Sequence, residues 1–233
     1  MQNMPTVSAL MPAYNAEEFI GEAIESVLAQ GYEDLEIVVV DDGSTDKTAD
    51  IAEKYPKVRC IRKEHSGISD TRNRTLKEAS GEYVTFIDAD DLWVEGKLKK
   101  QLDFLEQHPE YDCVCSKMRN FTRIPQDEIT YEQQDLLEYK VLNLLGMYCI
   151  RKSAVDALGL FDATLPYDED TEWLFRMKVM GMKIGNIDEV HLLRRIHSKN
   201  VSVKRAEDKS VVDFDRLKKI WTRSIRSRIK LQK

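Results

Sequence analysis

Through its first hundred residues the chain alternates short apolar runs with amphipathic segments, and each run ends in a polar cluster. Val7 to Leu10 reads as a buried strand ending at Pro12. Asn15 stands at a helix N-cap position with Glu18 at the capping-box spacing, ahead of Phe19, Ile20, Ala23, Ile24, Val27 and Leu28 in a stripe of helical period, with Gly31 closing the helix. Ile37 to Val40 is a continuous β-branched run, the mark of a strand covered on both faces. Helix over Thr48–Lys54, strand over Val58–Ile61, helix over Ser69–Ala79, strand over Tyr83–Ile87 and helix from Glu95 to Gln107 continue the pattern. Such alternation predicts a mostly parallel sheet flanked by helices, with ligands held where the carboxyl ends of the strands open.

Beyond Gln107 the order is less regular. Strands are expected at Tyr111–Ser116, Met147–Ile150, Lys183–Ile187 and Val190–Arg195, and helices at Asp135–Leu145, Ala154–Leu158 and Thr171–Met180. Arg123 to Gln134 is polar and reads as loop.

Three clusters fall at one predicted sheet edge: Pro12-Ala13-Tyr14-Asn15, Asp41-Asp42-Gly43-Ser44-Thr45-Asp46 and Asp88-Ala89-Asp90-Asp91. Three carboxylates in four positions repel one another unless a cation intervenes, and hard oxygen ligands suit Mn²⁺ or Mg²⁺ bridged to substrate phosphates. Acidic residues at a helix N-terminus are the competing explanation. Gly43, Ser44 and Asp46 suit a tight turn and a helix cap, whereas paired carboxylates at a strand end suit a nucleobase or ribose; Asp42 is placed to accept a base imino proton and Tyr14 to stack on the base.

These residues, in this order, resemble family 2 glycosyltransferases with the GT-A fold, a Rossmann-like, mixed and mostly parallel α/β sheet flanked by helices. The resemblance continues through Gly67 with Arg72-Asn73, Gly81-Glu82-Tyr83, Gly159-Leu160-Phe161-Asp162, and Glu169-Asp170 with Arg176, and covers roughly residues 5 to 200. It implies transfer of a sugar from a nucleotide-diphosphate sugar to a hydroxyl acceptor, a glycan or a lipid-linked sugar, with inversion. Pro12, Tyr14, Asn15, Asp42, Arg72 and Asp88 match positions that hold the nucleotide. Asp88 and Asp90 match the metal motif, with Asp90 foremost, and His197 in Arg195-Ile196-His197 resembles a late motif beside the diphosphate and joins the metal set. Asp170 matches the catalytic base, with Glu169 next in line. Residues 1–110 then form the nucleotide-sugar half and 111–205 the acceptor and catalytic half of one domain. Asp70 and Thr71 stand where small apolar residues are usual before Arg72-Asn73, and Lys117 to Gly146, where acceptor contacts would fall, match no motif.

The chain of 233 residues has a net charge of -6, which argues against nucleic acid as a partner. Eight of its 35 basic residues lie between Arg216 and Lys233, leaving 27 against 41 acidic residues in the remainder. Residues 206–233 read as a basic amphipathic helix built on Leu217, Ile220, Trp221, Ile225 and Ile229, suited either to an anionic membrane surface or to docking on the acidic body or in a homodimer. No signal peptide or membrane span is read, so a cytosolic protein, peripheral to the membrane where the tail binds it, is expected. Cys60, Cys113, Cys115 and Cys149 form no CxxC pair and read as reduced, half-buried thiols. A catalytically silent nucleotide-sugar-binding or scaffold protein is the alternative of the same fold. A sugar nucleotidyltransferase would call for a glycine-rich phosphate loop after the first strand, and Pro12-Ala13-Tyr14-Asn15 is not one.

Overall fold

A computed structural model describes residues 7–130, 133, 134, 137, 144–165, 168–200 and 222. Four strands run parallel: β1 (Val7–Ala13), β2 (Leu35–Asp41), β3 (Val58–Arg62) and β4 (Tyr83–Phe86). Between and after them come α1 (Ile20–Leu28), α2 (Thr48–Ala52), α3 (Ile68–Glu78), a two-residue strand β5 (Leu92–Trp93) and α4 (Lys97–Gln107). The second half adds β6 (Cys113–Phe121), β7 (Tyr148–Arg151), α5 (Lys152–Leu158), α6 (Glu169–Val179) and β8 (Ile184–Arg195). The eight strands form one sheet in the order β3-β2-β1-β4-β7-β6-β8-β5.

This order fixes the site. From β1 the chain steps outward through β2 to β3, then returns across β1 to β4. The strand order reverses between β1 and β4, and a crevice opens at such a switch point beyond the carboxyl ends of the strands. β7 runs antiparallel to both β4 and β6, while β6 and β8 are parallel, which makes the sheet mixed. Val38, Val39 and Val40 are fully buried, as expected of a central strand wrapped on both faces.

The core of the second half is aromatic. Trp173 of α6 stacks on Phe161 with ring centroids 5.0 Å apart and meets Phe86 of β4 edge-on at 6.0 Å. Its indole N–H donates to the Gly159 carbonyl at 2.8 Å. Asn73 clamps the same turn, its amide donating to the Phe161 carbonyl at 3.0 Å and its carbonyl accepting the Phe161 N–H at 2.8 Å. Arg176 donates to the Leu158 and Leu160 carbonyls, both at 2.9 Å, and to Glu172. Gly159-Leu160-Phe161, Asn73 and Arg176 therefore seat α6 against the sheet.

Several expectations need correction. β1 runs through Pro12 to Ala13, and Asn15 does not cap α1: with φ at +48° it turns away, and its side-chain oxygen accepts the Thr45 N–H at 2.9 Å. The helix entry is satisfied from outside, Thr48 Oγ1 accepting the Ala16 N–H at 2.7 Å and Asp46 the Glu17 N–H at 3.1 Å. The two strands expected over 183–195 are one, with bulges where its register against β6 shifts around Lys117. Cys113, Cys115 and Cys149 are buried outright rather than half-buried, and only Cys60, on the edge strand β3, is intermediate. Most of the helix expected over Asp135–Leu145 and, apart from Thr222, the basic tail of 206–233 lie outside the described residues.

Candidate active site

The loops after β1 and β2 are laced together. Ser44 Oγ accepts the Asn15 N–H at 2.9 Å, and Asn15 returns the contact through Thr45. Gly43 takes φ of +72° where the chain passes within reach of the His65 amide, so a side chain there would strike backbone. Asp42 is buried; Oδ1 accepts the Ser66 N–H at 2.9 Å, Oδ2 the Gly67 N–H at 3.0 Å, and Lys63 pairs with Oδ1. Burial raises the Asp42 carboxyl, but Lys63 and the two amides outweigh it and hold the group below its ordinary value. Both oxygens are thus engaged within the chain, and Asp42 shapes the loop that carries His65. That imidazole stacks on Tyr14, centroids 4.4 Å apart and planes at 27°, and Tyr14 stays 48% exposed. Pro12 sits inside β1, paired with Val40.

The cluster after β4 divides by role. Asp91 is buried and accepts the Arg195 N–H at 2.9 Å, anchoring the turn to β8; burial, then the charges of Asp90 and Asp88, push its carboxyl well up. Asp90 turns the other way: its Oδ2 lies 3.0 Å from His197 Nε2 and accepts from Asn200 Nδ2 at 3.2 Å. Asn200 also fixes the histidine, accepting the His197 N–H at 2.6 Å. Asp88 is 44% exposed at its side chain and is contacted by Arg72 at 3.1 Å. Desolvation raises its carboxyl, Arg72 opposes, and Asp90 and Asp170 add to the rise.

Arg72 is buried, and one terminal nitrogen donates to Asp88 at 3.1 Å. Its other terminal nitrogen pairs with Glu169 at the start of α6, so it ties the turn after β4 to that helix. Glu169 is buried, and desolvation raises its carboxyl against the pull of Arg72. Asp170, next to it, faces out: Oδ1 accepts the Thr171 N–H at 2.7 Å, and its charge is felt at Asp88, Glu169 and Arg72. The departures at Asp70 and Thr71 are local. Thr71 bonds the Gly67 carbonyl at 2.8 Å, and Asp70 accepts from Ser66 at 2.6 Å and pairs with Lys63.

The structure therefore brings Asp88, Asp90, His197 and Asp170 to one edge, with Tyr14, Asn15 and Asp42 along it. Among the described residues no three carboxylate, imidazole or thiol groups converge into a self-sufficient metal cage. Asp90 Oδ2 and His197 Nε2, 3.0 Å apart with Asp88 in the same turn, have the chemistry to take part in holding a cation that also takes substrate oxygens. Lys63, His65 and Asn200 escaped the sequence reading. Lys63 and His65 lie in a loop of no set spacing, while Asn200, three residues after His197, was within reach of a reading that asked what orients the imidazole.

Comparison with known proteins follows the same lines. The family model described as "Glycosyl transferase family 2" matches residues 8–161. The Escherichia coli enzyme WfaP, named as a UDP-Glc:alpha-D-GlcNAc-diphosphoundecaprenol beta-1,3-glucosyltransferase, is 31% identical over 220 residues, covering 88% of this chain and 83% of that protein. Residues 1–349 of S. aureus TarS, solved with UDP-GlcNAc, superpose with a TM-score of 0.73 at 24% identity, covering 92% of this chain and 64% of TarS 1–349. The mannosyltransferase PcManGT of Pyrobaculum calidifontis, solved with GDP-Man and Mn²⁺, superposes with a TM-score of 0.68 at 19% identity, covering 99% and 74%.

Proposed function

The chain belongs to glycosyl transferase family 2 and has the GT-A fold, and we propose that it transfers a sugar, with inversion and with a divalent cation, from a nucleoside-diphosphate sugar to a hydroxyl acceptor. The observation that carries this reading is the juxtaposition of Asp90 with His197 on an edge where Asp88 also feels the charge of Asp170. The full set of Asp42, Asp88, Asp90 and Asp170 favours an enzyme over a silent binding protein of the same fold.

Residues 7–110 supply the donor wall. Tyr14 offers an exposed ring to the base, and Asn15, locked to Thr45, holds the loop that bears it. Asp42 sets the floor through Ser66 and Gly67. Asp88 and Asp90 have the oxygen donors and excess negative charge that suit Mn²⁺ or Mg²⁺, and His197 adds an imidazole. Such a cation, when bound, offsets the charge that grows on the departing diphosphate. Residues 111–205 supply the acceptor side. Asp170 takes the proton of the acceptor hydroxyl as its oxygen attacks the anomeric carbon from the face opposite the diphosphate. Glu169 is unsuited to that task, because it is buried and committed to Arg72.

The acceptor named for WfaP supports a lipid-linked hydroxyl here, and with it a position at a membrane surface. No helix among the described residues is long and apolar enough to cross a membrane. Calorimetry with UDP, GDP and dTDP, in Mn²⁺, Mg²⁺ or chelator, tests the donor side. At least one nucleotide should bind more tightly with metal than with chelator, and Asp90→Asn should remove most of that difference. Equal binding with metal and with chelator would refute the cation.

A further inference from the structure

Arg195 ends β8, two residues before His197. Its side chain is 4% exposed, and its guanidinium lies over the ring of Phe19 at 5.2 Å and over that of Phe121 at 4.9 Å. Nε donates to the Asp90 carbonyl at 2.9 Å, and a terminal nitrogen donates to Glu22 of α1 at 2.9 Å. Its own backbone N–H goes to Asp91. Phe19 continues outward to cover the His197 ring, centroids 4.4 Å apart. Between them Ile196 is fully buried and its N–H donates to the Phe121 carbonyl at 2.8 Å.

We infer that Arg195 is a positioning residue that, pinned by Glu22 and the two phenyl rings, sets Asp90 and His197 at the separation a divalent cation needs. The inference rests on the reading of Asp90 and His197 as cation ligands. A guanidinium is a rigid planar fork that stacks on aromatic faces, so one set over two rings and hydrogen-bonded at two of its nitrogens has few other orientations. Its Nε grips the backbone of Asp90, leaving the carboxylate free to turn to His197. The same residue starts the tripeptide that delivers the histidine, so both ligands hang from one anchor. Glu22 extends that anchor to α1, whose entry is tied to the loops after β1 and β2. Groups that orient metal ligands are commonly worth about 10- to 100-fold in metal affinity.

Glu22 is 37% exposed at its side chain, so Glu22→Gln keeps the fold where an arginine truncation need not; Arg195→Lys retains the charge but not the fork. UDP and GDP binding to the full chain is measured at stepped Mn²⁺ concentrations, beside melting temperature. Arg123→Ala, which removes the second partner of Glu22 without touching Asp90, is the control. Glu22→Gln and Arg195→Lys should each raise the half-saturating Mn²⁺ about tenfold, with wild-type nucleotide affinity restored at saturating metal and Arg123→Ala unchanged. An unmoved Mn²⁺ requirement alongside a lowered melting temperature would make the cluster simple packing and overturn the inference while leaving the proposed function standing. A wild-type protein that binds nucleotide without responding to Mn²⁺ would overturn the cation reading, and this inference with it.

Discussion

Arg72 and Glu169 are 7% and 6% exposed at their side chains, so their buried ion pair is sensitive to loss of either partner. In Arg72→Gln the Glu169 carboxylate stays buried without its cation. Breaking a buried pair in this way costs about 3–5 kcal/mol. Loss of the Asp88 contact adds less than about 1 kcal/mol, because that carboxylate is 44% exposed. The double variant Arg72→Gln/Glu169→Gln carries no buried charge at the site and should recover at least about 2 kcal/mol of the deficit. The pH dependence has a definite sign. Desolvation lifts Glu169 above its ordinary 4.5, so the native state holds the proton more firmly than the unfolded chain, and stability falls as pH rises from 4.5 through the folded value. Without Arg72 that value climbs further, so the deficit of Arg72→Gln should be smaller at pH 5 than at pH 8. Urea unfolding followed by tryptophan fluorescence measures all three proteins, with Trp173 in the core as reporter. A single variant that loses under about 1 kcal/mol, or a double variant no more stable than the single, would show that the pair does not hold α6 to the sheet.

Lys97 is fully buried, its ammonium on Gln101 at 2.6 Å, and burial pulls it down to about 8 from 10.5. The unfolded chain binds that proton more tightly, so Lys97 should add about 2 kcal/mol of stability between pH 7 and 9.5; Lys97→Met should lack this rise in parallel urea titrations, and identical pH profiles would refute it. Gly43→Ala places a Cβ 2.8 Å from the His65 amide at φ of +72° and should cost at least about 1 kcal/mol, read as a lower melting temperature together with weaker nucleotide binding; a neutral variant would mean that the loop does not need its left-handed turn.

The first half of the chain was legible because its signals are local. A buried β-branched run such as Ile37–Val40 marks a central strand without knowledge of its neighbours, and Asp88 to Asp91 follow β4 directly. The resemblance put Asp90 foremost and added His197, but the partner each aspartate takes was not legible from local pattern. Asp91 faces Arg195 and Asp90 faces His197, more than a hundred residues along the chain, and neither partner follows from spacing. Arg72 matched a nucleotide-holding position yet lies against Glu169, a contact formed only when α3 and α6 meet over the sheet. The apparent cap at Asn15 failed for a similar reason. Its capping-box spacing is real, but Thr45 offers the side chain a partner from another loop, and Thr48 and Asp46 serve the helix entry instead. The break expected between Ile187 and Val190 marks a bulge inside one strand, where the polar Asp188 and Glu189 interrupt the apolar run without ending the pairing.

Release of nucleoside diphosphate from UDP-glucose, UDP-GlcNAc and GDP-mannose, with a lipid-linked glycan extract as acceptor, tests the reaction itself. The wild-type chain should turn over at least one donor in Mn²⁺ or Mg²⁺. Asp170→Asn should bind that donor as before and lose about 10²–10⁴ in rate, whereas Glu169→Gln should fall far less unless it unfolds. An Asp170→Asn protein that transfers at the wild-type rate would contradict the assignment of the base and the mechanism built on it.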